Sequence, residues 1–247
     1  MKNVKLTIEY DGTGFHGWQR QEKERTVQEE IEKALSKIIK KKIVVHGSGR
    51  TDAGVHAMGQ VANFVETFSI PVEKIPLAAN ALLPDDVAIK EAVEVDMKFH
   101  ARYSATGKKY IYKIYNSSLR SPLYRNYAYF VPNVLHMEAI KEASKFFWGE
   151  HDFYAFMASG SNVKDTVRRI DSLHVYREGE IMTIEVAGNG FLYNMVRIIA
   201  GTLVDVGKGK ILSKDIPQII LSKDRTRAGH TAPPQGLYLA EVFYEKN

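Results

Sequence analysis

The chain has 247 residues, 45% of them hydrophobic and 26% charged, so it can bury a core of its own without a stabilising disulfide or metal. It contains no cysteine, which excludes disulfides, iron–sulfur clusters, thiolate zinc sites and a cysteine nucleophile. Its 34 Lys and Arg outnumber its 29 Asp and Glu, a balance of +5 that favours polyanionic partners, though weakly.

At the N-terminus Val4, Leu6, Ile8 and Tyr10 alternate with Lys5, Thr7 and Glu9, the period of a half-buried strand. Asp11-Gly12-Thr13-Gly14 breaks it. Thr26 with Glu29 three residues on reads as a capping box, and Val27, Ile31, Ala34, Leu35 and Ile38 follow at helical spacing. Lys37, Lys40, Lys41 and Lys42 close that helix, where cations suit its dipole; an RNA-facing patch is the alternative reading of them. Ile43–Val45 is expected to be a short strand, and Val55–Phe64 a longer one after a glycine-rich loop. Pro71 opens a short helix through Leu82, interrupted at Pro76, and Pro84-Asp85-Asp86 turns into a strand with Val87 and Ile89. Further on, Lys109–Tyr115 reads as a strand, His136–Trp148 as a helix, and 170–176 with 181–187 as a hairpin. Phe191–Val206 reads as a buried helix, Ile216–Leu221 as a short one, and Tyr238–Tyr244 as the last strand.

Strands and helices mix without strict βαβ alternation, which predicts an α+β fold with helices on a largely antiparallel sheet. The polar stretch from His100 to Lys108 is the candidate junction, dividing the chain into 1–104 and 105–247. No apolar run is long enough for a signal-peptide core or a membrane span, so the cytoplasm is the expected compartment and no membrane is expected as partner.

Three segments could carry chemistry. Gly47-Ser48-Gly49-Arg50-Thr51-Asp52-Ala53-Gly54 lets backbone approach a ligand closely and holds an Arg and an Asp, which could equally be a solvated side chain and a turn cap. It is neither a dinucleotide-binding G-x-G-x-x-G nor a P-loop. Phe99-His100-Ala101-Arg102-Tyr103 and Lys108-Lys109-Tyr110-Ile111-Tyr112 interleave aromatic and basic residues, as RNA-stacking surfaces do, or as core tyrosines on a strand would. In Gly188–Arg197 an Arg emerges from an apolar helix, either snorkelling or paired with an anion. None of the eight histidines forms an H-x-x-x-H or H-E-x-x-H pair, so no metal site is expected, and without cysteine the zinc deaminase signature is ruled out.

Taken together, these segments resemble a known family. Gly47–Ala57 is similar to the signature loop of the tRNA pseudouridine synthase A family, and Tyr10–Gln19 to its N-terminal motif. Phe99–Tyr112, Gly149–Phe153, Gly188–Arg197 and Thr231–Leu239 resemble its remaining motifs in order, nearly end to end. The resemblance implies a pseudouridine-synthase-like α+β fold: two ferredoxin-like halves, a largely antiparallel mixed sheet, flanking helices and a basic cleft. The half from 1 to 104 would carry the catalytic loop and that from 105 to 247 would complete the cleft. It implies isomerisation of uridine to pseudouridine in the anticodon arm of tRNA, at nucleotides 38, 39 and 40, by a homodimer with no metal or organic cofactor.

Residue by residue, the resemblance makes Asp52 the catalytic carboxylate and Arg197 its counter-ion. Arg50 would fill the space left by the flipped nucleotide, Tyr110 would stack on the target base, and Leu237 would line the uracil's other side. Three routes start from such a carboxylate: attack at C1′, attack at C6, and proton abstraction at C2′. The Tyr110 hydroxyl is also a candidate for removing the C5 proton. The rival readings are a non-catalytic RNA-binding protein and a hydrolytic nucleosidase.

Overall fold

In the computed structural model, which describes residues 1–160 and 163–245, the alternating N-terminal segment is strand β1 (Lys2–Tyr10). There follow α1 (Val27–Ile39), β2 (His46–Gly47), β3 (His56–Glu66), α2 (Ile75–Asn80) and β4 (Val87–Val95). Next come β5 (Ala105–Asn116), β6 (Tyr129–Val131), α3 (Met137–Lys145), β7 (Gly149–Asp152), β8 (Val167–Glu178) and β9 (Ile181–Gly188). The chain closes with α4 (Met195–Gly207), α5 (Ile216–Ser222) and β10 (Leu237–Tyr244). Met1–Thr106 with Tyr238–Asn247 form one compact unit, and Gly107–Leu237 form a second.

In the first unit β1 runs antiparallel between β3 and β4, with Leu6 opposite Ala62 on one side and Ala92 on the other. The alternation seen in sequence does its work here: Val4, Leu6 and Ile8 are fully buried, while Lys5 and Thr7 are partly exposed. Ile31 and Leu35 of α1, Phe64 of β3, Ile75 of α2 and Ile89 of β4 are buried with them. β2 pairs antiparallel with β3, His46 opposite Asn63. β10 pairs parallel with β3, Tyr238 opposite His56.

In the second unit β8 and β9 form the expected hairpin, and β9 also pairs antiparallel with β5, placing Tyr110 opposite Val186 and Tyr112 opposite Ile184. β7 extends this antiparallel set through β8, and the short β6 pairs parallel with β5. Nearly every side chain of α4 is buried, as its apolar sequence requires, and α3 packs against it. Strand pairs are thus mostly antiparallel, with two parallel exceptions, and five α-helices accompany them among the described residues. This is the α+β class expected. No helix among the described residues is long and apolar enough to cross a membrane.

Four local expectations need correction. The capping box does not form: Thr26 is the N-cap of α1, but its hydroxyl caps nothing, and Glu29 instead reaches forward to Lys33 at 3.1 Å. Ile43–Val45 is not a strand, because side chains of α1 take backbone bonds of Ile43 and Val45. Ser36 Oγ accepts from Ile43 N at 2.9 Å, Glu32 Oε1 accepts from Val45 N at 3.1 Å, and Gln28 Nε2 donates to Val45 O at 3.1 Å. Strand pairing begins one residue later, at His46. Pro76 does not break a helix; a 3₁₀ turn (Val72–Lys74) precedes it, and Pro76 sits in the first turn of α2, where its missing N–H costs nothing. Finally, α4 starts at Met195 rather than Phe191, because Asn194 adopts the left-handed conformation with φ 58°.

Candidate functional site

Two groups of residues, one in each unit, hold the side chains singled out above. In the first unit, the loop between β2 and β3 is gripped from its two flanks. Ser48 N donates to Val61 O at 2.7 Å, and Ser48 Oγ to Gln60 Oε1 at 2.7 Å. Gln60, wholly buried, returns its amide to Gly49 O at 3.1 Å. Trp18 N donates to Thr51 O at 3.1 Å, and Tyr10 Oη lies 2.7 Å from Thr51 Oγ1. Beyond Asp52, Val55 N closes a turn on Asp52 O at 3.1 Å, and Gly54 N donates to Phe15 O at 3.3 Å.

The 10–18 segment can lie so close only because of two glycines. A Cβ on Gly12 would fall 2.1 Å from Val55 O, and one on Gly17 would fall 2.5 Å from Thr51 O. Gly17 also has φ +85°, which side chains rarely adopt. His56, 2% exposed, continues the grip: its Nδ1 lies 3.0 Å from Gly12 N and 3.1 Å from Asp11 Oδ1, and its ring stacks on Tyr238 at 4.7 Å. The result is a half-buried Asp52 on a backbone fixed at the residues beside it, with Arg50 exposed two positions earlier.

In the second unit Tyr110 and Tyr112 share one face of β5. Tyr110 is 8% exposed, with its ring edge-on to Phe191 at 5.1 Å, so Phe191 serves the tyrosine rather than the helix. Tyr112 is wholly buried and donates its hydroxyl to Pro233 O at 2.7 Å. Burial pushes its phenol well above the ordinary tyrosine range, partly opposed by the Arg197 guanidinium.

Arg197 does not snorkel away. Its Nε donates to Ala232 O at 2.7 Å and its Nη1 to Asn194 Oδ1 at 2.8 Å, while its own carbonyl accepts from Ala232 N at 3.0 Å. The 231–237 segment is therefore tied to α4 through Arg197 and to β5 through Tyr112. Leu237, buried at 7% exposure, ends it. Upstream, Asp205 Oδ2 holds His230 Nδ1 at 2.9 Å, and Arg225 clasps Gly229 O at 2.9 Å and Thr231 Oγ1 at 3.0 Å.

Tyr110, Arg197 and Leu237 thus all lie in the second unit, and Asp52 and Arg50 on one loop in the first. Residue reading alone missed Gly17, Trp18, Gln60 and Tyr112, the residues that hold the others in place. Gly17 and Trp18 are marked only as part of the 10–19 motif and Tyr112 only as part of the tyrosine-rich strand, neither of which names a partner, while Gln60 lies unmarked in the strand expected over Val55–Phe64.

A family model described as tRNA pseudouridine synthase matches residues 6–104 and 143–245. The chain is 54% identical over 244 residues to tRNA pseudouridine synthase A of Acetivibrio thermocellus, covering 99% of this chain and 100% of that one. Against tRNA pseudouridine synthase A of Ruminiclostridium cellulolyticum the identity is 54% over 245 residues, with 99% and 100% covered. Against that of Caldicellulosiruptor bescii it is 52% over 244 residues, with the same coverage.

Proposed function

Because the chain belongs to the tRNA pseudouridine synthase family, whose members are isomerases, we propose that it converts uridine to pseudouridine in the anticodon arm of tRNA, at nucleotides 38, 39 and 40. The observation that carries the reading is the half-buried carboxylate of Asp52 on a loop whose backbone is clamped at Thr51 and at Asp52 itself. Such a loop presents a reactive group in one geometry, which is what positioning contributes to catalysis.

In the reaction the N1–C1′ bond breaks, the uracil turns, and a C5–C1′ bond forms. The proton on C5 leaves and N1 gains one, so atoms balance without a co-reactant. An ionised Asp52 starts the sequence as nucleophile or as base. Burial disfavours a charged carboxylate and a neighbouring cation restores it. By the family resemblance that cation is Arg197, whose guanidinium is oriented by Ala232 and Asn194. A stacked uridine hides C1′ and C5, so the nucleotide must be flipped out. Arg50 takes the vacated space, Tyr110 stacks on the base, and Leu237 gives it an apolar wall against which it can turn. By the same family resemblance, the enzyme acts as a homodimer in the cytoplasm and needs no cofactor.

Tritium release from C5-labelled uridine in tRNA tests the reading. Asp52→Asn should bind tRNA within about threefold of wild type yet release tritium at a rate lower by roughly 10³-fold or more, the scale expected when a nucleophile or base is lost. Substantial release from Asp52→Asn would remove the carboxylate from the mechanism. Tyr110→Phe in the same assay separates stacking, which survives, from proton removal, which does not. A wild-type protein that binds tRNA and releases nothing would instead be a non-catalytic RNA-binding protein, and free uracil among the products would mark a nucleosidase.

A further inference from the structure

Tyr103 is 78% exposed, more than any Phe, Trp or other Tyr among the described residues. The turn that carries it, between β4 and β5, is nonetheless built firmly. Ser104 N donates to His100 O at 2.9 Å, and His100 N donates to Ser104 Oγ at 3.0 Å. Ala101, wholly buried, donates its N–H to Asn63 Oδ1 at 2.9 Å and accepts from Tyr244 Oη at 2.8 Å. Asn63 donates to Asn3 Oδ1 at 2.9 Å, and the Asn3 amide donates to Phe99 O at 2.8 Å. Both asparagines are buried, so this network fixes the turn in one conformation. A ring held rigidly in water gains nothing for the fold.

The groups around the ring are the Arg102 guanidinium and the imidazoles of His100 and His46; burial, with His46 and Arg102 close by, lowers the pKa of His100, so it serves as a neutral donor. The His100 ring lies 4.4 Å from Tyr103 and 5.2 Å from His46 of β2. Arg102, exposed, donates its backbone N–H to His100 Nδ1 at 3.1 Å, so a neutral His100 carries its proton on Nε2. Within its own unit, the stretch from Met97 to Thr106 that carries the ring holds Lys98 and Arg102 and no acidic residue, with Asp96 just before it.

A flat exposed ring beside a guanidinium and imidazole N–H donors is the combination that binds unpaired nucleotides, the ring on the base and the donors on its phosphate. We infer that the His100–Ser104 turn, with His46, is a nucleotide-binding patch: Tyr103 stacks on an unpaired base of the tRNA, and Arg102, His46 and His100 hold an adjoining phosphate. The inference rests on tRNA being the substrate and adds to it residues that take no part in the chemistry.

The test is tRNA affinity by filter binding, with tritium release measured on the same preparations. Tyr103→Ala should weaken binding about tenfold, the effect of losing one base–aromatic stack, while Tyr103→Phe stays near wild type. Arg102→Ala should reduce the steepness of the salt dependence by about 0.7–0.9, the share of one neutralised phosphate. At sub-saturating protein, single-turnover release by Tyr103→Ala should fall in step with its affinity. Wild-type affinity in Tyr103→Ala overturns the patch, as does equal loss in Tyr103→Phe. A dimer-to-monomer shift in Tyr103→Ala would reassign the ring to a contact with a second copy, and would overturn it too. If wild-type protein releases no tritium, the proposed reaction fails, while the affinities still decide the patch.

Discussion

Gly17 bears directly on the placement of Asp52, because a Cβ there would meet Thr51 O and, at 3.2 Å, the Asp52 carbonyl carbon. With φ +85° and only 2.5 Å between Thr51 O and the place a Cβ would occupy, any side chain there must push the loop aside. Gly17→Ala should therefore lower tritium release about 10²-fold, the cost of misplacing a reactive group by an ångström, while tRNA affinity stays within about twofold. Equal loss of both would mean that the loop serves binding rather than chemistry. Tyr112 plays the matching part in the second unit. Tyr112→Phe leaves Pro233 O without its donor inside the protein, a loss of about 1–3 kcal/mol readable by urea unfolding. Its raised pKa adds a pH signature. The neutral phenol is favoured in the fold, so this contribution is complete below the unfolded value near 10 and is lost as pH rises toward the higher folded value. Tyr112→Phe should accordingly flatten part of the alkaline decline in stability; an unchanged decline above pH 10 would place that linkage elsewhere. In the sequence, Asp52 and Tyr110 stood out through their motifs. Gly17 and Tyr112 did not, because their importance lies in what touches them.

Among the secondary-structure elements, helix α1 shows how far local patterns reach. The spacing of Val27, Ile31, Ala34 and Leu35 set its buried face correctly, whereas Ile39 rather than Ile38 is the last side chain to be buried. The Thr-x-x-Glu signal at its start misled, because Thr26 is wholly buried and Glu29 has Lys33 within reach on the exposed face. Thr26 Oγ1 is the buried side-chain polar atom that lacks a hydrogen-bond partner among the described residues. Ordinarily, removing an N-cap hydroxyl destabilises a helix. Here Thr26→Val should be neutral or stabilising by about 1 kcal/mol, since it removes an unsatisfied hydroxyl while keeping the shape. A loss of stability above about 1 kcal/mol in chemical denaturation would show that the hydroxyl is capping after all. The segment 43–45 makes the converse point. Its composition is that of a strand, but Gln28, Glu32 and Ser36 occupy its backbone groups, and no periodicity in the segment itself announces that.

Across the chain as a whole, the positive balance of +5 matters through its substrate. If tRNA phosphates are neutralised on binding, the logarithm of affinity should fall linearly with the logarithm of salt, by roughly 0.7–0.9 for each phosphate contacted. A slope near zero between low and physiological salt would be incompatible with a tRNA-binding surface of this charge. The α+β class, the identity of most strands and helices, and the family were all legible from the sequence alone. Each depends on local periodicity, on turn chemistry, or on short ordered motifs such as Gly47–Ala57. How distant segments meet became visible only in the folded chain. β10 returns to the unit in which the chain begins and lies parallel to β3, Tyr238 beside His56, a pairing between residues far apart in sequence. Likewise Arg197 finds Ala232, and Thr51 finds Trp18 and Tyr10. A hydrogen bond or a close backbone approach is a property of two places at once. A side chain's own neighbours in the chain say which places could form such a contact, but not which of them will.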